Sequence, residues 1–246
     1  MIEIRHPEID QSQDSQRAYD ALYRGPGIAL LDSFYLWILH LLRTKPGQSL
    51  LDISTGKGAL VHFARRAGLH AYGFDFSAAA AALAARQQPD RIWVGDAQQM
   101  SIADEYFDFV VNLGSLEHYM DMAVSVRESV RVLRRQGWAC YLLPNTYSVF
   151  GNFKYAWKTG EVFDDGQPLQ RYDTRGGWQR LLEANGLSVK RVVKYERVWP
   201  RTWADMGWYL RRPTKVARLL IAPFVPVNLA NCLVYLCRKK DEIAGS

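Results

Sequence analysis

Residues 52–58 read Asp-Ile-Ser-Thr-Gly-Lys-Gly (DISTGKG) and follow the apolar run Ser49-Leu50-Leu51. A strand is expected to end at the acid and a helix to begin after the second glycine. Gly56 and Gly58 tolerate positive φ and let backbone N–H groups approach a ligand closely. The stretch therefore predicts a cofactor-binding loop.

Downstream of the loop, strand and helix signals alternate. Strands are expected at 50–53, 71–74, 91–94, 107–113 and 138–143, the last stopped by Pro144. Helices are expected at 59–67, at 78–87 with Ser77 as N-cap, and at 121–134. This alternation predicts an α/β fold with a parallel sheet wound on both faces. Residues 172–185 read as a helix, 187–198 as a strand, and a final strand is expected near 233–237. Residues 1–13 are polar and expected to be loose. Residues 14–44 are expected to be helical, broken near Gly25-Pro26-Gly27. The chain divides into an N-terminal helical lid (1–46), a cofactor-binding core (47–145), an insertion loop over the active site (146–171) and a sheet-completing part (172–246). That last part includes a basic, aromatic-rich segment at 199–228.

Composition sets outer limits. The chain has 246 residues, 48% of them hydrophobic and 23% charged, which suits one medium α/β domain with additions. Three cysteines without metal-type spacing and five scattered histidines suggest a reducing compartment and no metal cluster. No charged-then-apolar leader precedes the fold, so a cytoplasmic location is expected. The net charge of +6 is unevenly spread. Residues 1–120 carry 10 Lys/Arg against 14 Asp/Glu (−4), and 121–246 carry 21 against 11 (+10). A basic rear half with interleaved aromatics suggests a surface facing something anionic, while a solvated basic face over buried tryptophans explains the same pattern.

Acids recur at strand ends. Asp75 closes the second strand of the series, 23 residues after Asp52, where a carboxylate can accept both hydroxyls of a ribose. Asp96 follows the third, where a carboxylate can bind an exocyclic amine. The third glycine of a dinucleotide fingerprint is missing, its place falling at Val61, so a pyrophosphate is not expected. Lys57 is followed by Gly58 rather than Ser or Thr, which excludes a P-loop.

With LLDISTGKG (50–58), GFDFS (73–77), GDAQQM (95–100), FDFVVNLGSLEH (107–118), RVLRRQGW (131–138) and LLPN (142–145) in this order, the chain resembles the class I S-adenosylmethionine-dependent methyltransferases. It is similar to the ubiquinone-biosynthesis type of O-methyltransferase and related small-molecule enzymes. The resemblance spans residues 48–145 and continues more weakly to about 198. It implies a doubly wound, mostly parallel seven-stranded Rossmann-like sheet and S-adenosyl-L-methionine as cofactor. It also implies roles. Asp52 would orient the loop and approach the cofactor's amino group. Gly56 and Gly58 would let the backbone pass the methionine portion. Asp75 would bind the ribose diol, and Phe76 would pack on adenine. Asp96 would take the adenine amine with Ala97 beside it. Asn112, Leu113 and Gly114 would line the sulfonium end. Ser54 stands where the family often has the loop's first glycine.

Methyl transfer to a poorly acidic hydroxyl needs an aligned acceptor and a base. His118, a few residues past the 107–113 strand, is the candidate base, with Glu117 to orient it or serve instead; a structural His at this place is the competing reading. No polar-Pro-Pro-aromatic run follows that strand (112–115 is Asn-Leu-Gly-Ser), and no cysteine lies near its end, so an oxygen acceptor is favoured by elimination. Tyr19, Tyr23, Tyr147, Tyr155, Trp157, Arg171 and Tyr172 are candidate pocket lining. Residues 199–225 (WPRTWADMGWYLRRPTKVARLLIAPFV) resemble an interfacial anchor, which makes an anionic membrane surface a candidate partner and a lipid-linked or other small molecule the candidate acceptor; a substrate-binding subdomain without lipid contact is the competing reading. An RNA methyltransferase and a non-catalytic cofactor-binding module are the alternatives. The lack of a recognisable RNA-binding module speaks against nucleic acid.

Overall fold

The computed structural model describes residues 1–6, 12–25, 28 and 30–240. It begins with strand β1 (Ile2–Arg5) and helices α1 (Ser12–Arg24) and α2 (Asp32–Leu42). There follow β2 (Ser49–Ile53), α3 (Ala59–Arg66), β3 (His70–Asp75), α4 (Ala78–Gln87), β4 (Ile92–Val94) and β5 (Phe107–Leu113). A 3₁₀ turn at Leu116–His118 leads to α5 (Met122–Val132), β6 (Leu133–Pro144), α6 (Asn152–Thr159) and β7 (Leu169–Tyr172). The remainder is α7 (Arg175–Ala184), β8 (Leu187–Tyr195), α8 (Trp203–Leu210), α9 (Pro213–Ile221) and β9 (Cys232–Lys239).

Seven strands form one sheet in the order β4-β3-β2-β5-β6-β9-β8. The first five are mutually parallel, and β9 runs antiparallel between β6 and β8. This is the doubly wound, mostly parallel α/β sheet expected from the alternation. Strand order reverses between β2 and β5, so their carboxyl ends open a crevice where ligands of such sheets bind.

Alternate strand residues supply two cores, one per face. Leu51, Ile53, Val110, Ala139 and Tyr141 pack on one side with Trp178 and Leu182 of α7. Leu50, Phe109, Val111 and Cys140 pack on the other with Phe34 and Ile38 of α2 and Leu60 and Val61 of α3. Burial on both faces is why these strands read as continuous apolar runs. Side-chain caps start the helices: Ser77 Oγ accepts from Ala80 N (3.1 Å), Asp121 from Val124 N (3.0 Å) and Thr174 from Gly177 N (3.1 Å).

Two expectations change. The N-terminal end is not loose throughout: β1 pairs antiparallel with β7, Glu3 facing Arg171. Of the other residues in 1–13, 7–11 lie outside the described residues, as do Pro26 and Gly27 of the expected break between α1 and α2. The 146–171 stretch is not a bare loop, since it contains α6 and β7. The segment after residue 199 forms the helices α8 and α9, with Pro213 at a first-turn position of α9 where its missing N–H costs nothing.

Candidate active site

The DISTGKG loop leaves β2 in a chain of left-handed residues, Ser54 (φ 57°), Gly56 (57°) and Gly58 (76°). Thr55 N–H donates to the Phe74 carbonyl (2.9 Å) and Thr55 Oγ1 to Asp52 Oδ2 (2.6 Å). Asp75 fastens the loop to its own strand end, with Oδ2 accepting from Gly56 N–H (2.8 Å) and Oδ1 from Ser77 N–H (2.9 Å). Asp52 and Asp75 are 3% and 6% exposed. Burial pushes Asp52 up to about 7. It pushes Asp75 up to about 6, the Ser77 and Gly56 N–H donors pulling it part of the way back.

Helix α1 lies over this loop. Gln16 Nε2 donates to the Phe76 carbonyl (2.7 Å), and Asp20 Oδ1 accepts from Ser77 Oγ (2.5 Å) and Ala79 N–H (3.1 Å). A Cβ on Gly56 would sit 2.8 Å from the Tyr23 hydroxyl, so any larger residue there would push that ring aside. The space enclosed is a cavity of about 280 Å³. Asp52, Ser54, Gly56, Asp75, Phe76, Asp96 and Ala97 line it from the loop and the ends of β3 and β4. Leu113, Gly114 and His118 line it from the end of β5, and Tyr19, Tyr23, Ile28 and Leu30 from the N-terminal segment.

Three expected site residues stand back from the cavity. Gly58 starts α3, and a Cβ there would lie 3.0 Å from Ala84 Cβ, so its smallness serves the packing of α3 on α4. Asn112 is buried beneath the turn, its Oδ1 accepting from Leu116 N–H (3.0 Å) and its Nδ2 donating to Tyr119 Oη (2.8 Å). Glu117 is buried beside His118, with its Oε1 3.9 Å from His118 Nε2, and burial raises it to about 8. Among the expected pocket residues, Tyr19 and Tyr23 are in place, but Tyr147, Tyr155, Trp157, Arg171 and Tyr172 are not part of the lining. Of residues 146–171 only Gln167 reaches the cavity.

His118 is clamped. Its Nδ1 hydrogen-bonds the Leu169 carbonyl of β7, and burial lowers its pKa. Arg171 braces the same turn by donating to the Tyr119 carbonyl (2.6 Å) while pairing with Glu3 Oε2 (2.7 Å). The small β1–β7 sheet thus fixes the turn that carries His118. Tyr119, absent from the sequence expectations, is the hub on the other side: its hydroxyl bonds both Ser54 Oγ (2.6 Å) and Asn112 Nδ2. That bond gives Ser54 a polar partner at a position where a glycine would have none. Tyr119 carries no sequence signal beyond its nearness to His118, and Arg171, expected to line the pocket, instead braces the turn from β7.

The cavity matches a nucleoside carrying an amino-acid tail. Three carboxylates at the ends of neighbouring strands face one space, with the apolar Leu113, Ala97 and Phe76 between them. Of the loop glycines, Gly56 borders the cavity with its N–H held by Asp75, while Gly58 donates its N–H to the Thr55 carbonyl (2.9 Å). Among the described residues no cluster of His, Cys, Asp and Glu is arranged to hold a metal ion.

Comparison with known proteins agrees. Residues 51–141 match the family described as methyltransferase domain. A demethylmenaquinone methyltransferase of Mycolicibacterium paratuberculosis is 30% identical over 92 residues, 37% of this chain and 40% of that protein. The chain thus matches well under half the length of this curated relative. The [4+2]-cyclase SpnF superposes with a TM-score of 0.67 at 17% identity, over 97% of this chain and 99% of the other. An S-adenosylmethionine-dependent methyltransferase of Mesorhizobium loti gives 0.60 at 17% identity, over 83% and 98%. At these identities the structures speak for the fold alone. The chain has the fold of the class I S-adenosylmethionine-dependent methyltransferases, with the methyltransferase domain over residues 51–141 and S-adenosylmethionine as the cofactor that domain implies.

Proposed function

We propose that this protein transfers a methyl group from S-adenosylmethionine to an oxygen of a small-molecule or lipid-linked acceptor. The observation that carries the reading is that His118 lines the same cavity as Asp52, Asp75 and Asp96. When bound, the cofactor supplies an electrophilic methyl group on a sulfonium sulfur. Asp75 accepts from the ribose hydroxyls, and Asp96 accepts from the adenine amine beside Ala97 and Phe76. Asp52, Ser54 and Gly56 bound the methionine end. Leu113 and Gly114 border the sulfonium, and α1 excludes water from above.

The acceptor's hydroxyl proton passes to His118 Nε2. With Nδ1–H engaged by the Leu169 carbonyl, Nε2 keeps its lone pair, and the 3.9 Å to Glu117 is too long for a hydrogen bond to occupy it. Burial keeps the imidazole neutral at pH 7, and Glu117, raised to about 8, adds little negative charge beside it. The wall formed by Tyr19, Ile28, Leu30 and Met120 suits an aromatic or isoprenoid body. The curated relative's name gives demethylmenaquinone as its acceptor, which supports a lipophilic class. A lipid-linked acceptor brings in an anionic membrane surface as partner.

Incubation with methyl-tritiated S-adenosylmethionine and a lipid extract or a set of phenols tests this. Label is expected in a base-stable ether. His118→Gln should lower turnover roughly 10²- to 10⁴-fold while leaving affinity for S-adenosylhomocysteine within a few-fold. Label appearing on nitrogen or carbon would sink the oxygen assignment.

A further inference from the structure

Helix α8 is sorted inside out. It buries Asp205 and Tyr209 and turns Trp203 and Leu210 to solvent, 87% and 75% exposed, with Met206 between them. Spacings of three and four put those three on one face. Leu220 and Ile221 at the end of α9, and Phe224 in the 3₁₀ turn that follows it (85% exposed), are further large apolar side chains turned to solvent. Grouped exposure of such large side chains marks an interaction surface.

The surroundings are basic. Residues 197–224 hold six Lys/Arg against one acid, Asp205. That acid is buried and spent on Ser33 N–H (2.6 Å). Arg197, Arg218, Arg212 and Lys154 crowd Lys215 closely enough to depress its ammonium pKa. Arg212 also lies 4.5 Å over the Trp208 ring. Arg218 is paired with Glu196 (3.0 Å), but among the described residues no acid pairs with Arg211, Arg212 or Lys215, and such cations are relieved by an anionic partner.

Placement ties this face to the cavity. Tyr195 pairs with Cys232, and Cys232 with Pro144. The segment between β8 and β9 therefore leaves the sheet at the edge where β2 and β5 end. Ser33, which holds Asp205 and accepts from Arg201 N–H (2.6 Å), sits on α2 beside Asp32 and near Tyr35, both of which line the cavity.

We propose that the α8–α9 face docks on an anionic lipid bilayer, with Trp203, Leu210 and Phe224 inserted at headgroup depth and Arg211, Arg212 and Lys215 against the headgroups. As a route for a lipophilic acceptor it rests on the methyltransferase reading; as a docking surface it stands on the geometry alone.

The test is co-sedimentation of the full chain with vesicles of phosphatidylcholine alone or with about a third phosphatidylglycerol, at low salt. Binding is expected only to the anionic vesicles, with quenching of tryptophan by brominated lipid. Replacing Arg212 and Lys215 together by Ala should lower partitioning roughly 25-fold. Trp203→Ser with Phe224→Ser should lower it at least about tenfold. No binding at low salt, or binding indifferent to the aromatic pair, overturns the proposal. So does a dimer abolished by Trp203→Ser, which would make the face a self-association surface, or RNA affinity that outcompetes vesicles. Calorimetry with S-adenosylhomocysteine on the same samples separates the two readings: cofactor heat without vesicle binding defeats docking alone, whereas absent cofactor heat in the wild-type chain defeats the methyltransferase reading.

Discussion

At the cradle between β2, β3 and β5, charged groups are buried and fixed by named donors; on the α8–α9 face, apolar groups are exposed and rest on little. Asp75 accepts from two backbone N–H groups, whereas Trp203 is almost fully solvated. The difference teaches where specificity resides. The cradle is set by hydrogen-bond geometry, and the face by composition.

The sharpest test of this contrast is Asp75→Ala. It removes the acceptor for Gly56 and Ser77 N–H together, leaving two buried donors at a cost of about 1–3 kcal/mol each. The expected result is a fall of more than about 100-fold in S-adenosylhomocysteine affinity by calorimetry, with a lower thermal midpoint. A variant that binds normally would show that the loop does not depend on its carboxylate.

The next effect is pH-dependent. Burial raises Asp52 to about 7 and Asp75 to about 6, above their ordinary values, so between those limits the folded chain binds more protons than the unfolded one. Stability is therefore highest below the unfolded value and is lost as pH rises through the folded one, by at most about 1.4 kcal/mol per pH unit for each group. The thermal midpoint of ligand-free protein should fall between about pH 4 and pH 7. The carboxylates held low, such as Asp108 beside Arg134, act with the opposite sign but at more acid pH. Cofactor binding to ionised Asp75 should release protons near pH 6, visible as a dependence of the heat on buffer ionisation enthalpy.

A smaller effect is expected for Tyr119→Phe, which deletes the hydroxyl shared by Ser54 and Asn112. Stability should drop by about 1–2 kcal/mol in urea unfolding, with a few-fold loss of cofactor affinity. Smallest of all is Trp203→Ser, which should move the unfolding midpoint by less than about 0.5 kcal/mol. A larger loss would mean that the face is packed rather than presented, and the contrast would collapse.

The cradle was legible because its chemistry lies at strand ends, where an apolar run stops at an acid: Asp52, Asp75 and Asp96 were found by that rule, and all three line one cavity. Gly58 and Asn112 were assigned to the cofactor because they sit inside the same motifs, yet their neighbours show packing and turn-building roles. Strand β1 was invisible, because Ile2 pairs with Tyr172 and no local pattern encodes so distant a partner. Strand β6 begins at Leu133 rather than Trp138, since Gln136-Gly137 reads as a turn but forms an irregularity within the pairing to β5. Helices α8 and α9 were obscured by prolines that in fact start or follow helices, and α8 by an apolar face directed outward, opposite to the usual pattern.

Helix α1 holds one further consequence. Asp20 supplies acceptors to the N-terminal end of α4, and Gln16 grips the carbonyl just before it, so the roof over the cavity and the first turn of a core helix share the same bonds. A ligand whose exit lifts α1 would have to part those bonds together, and its residence time would then follow a cooperative local opening.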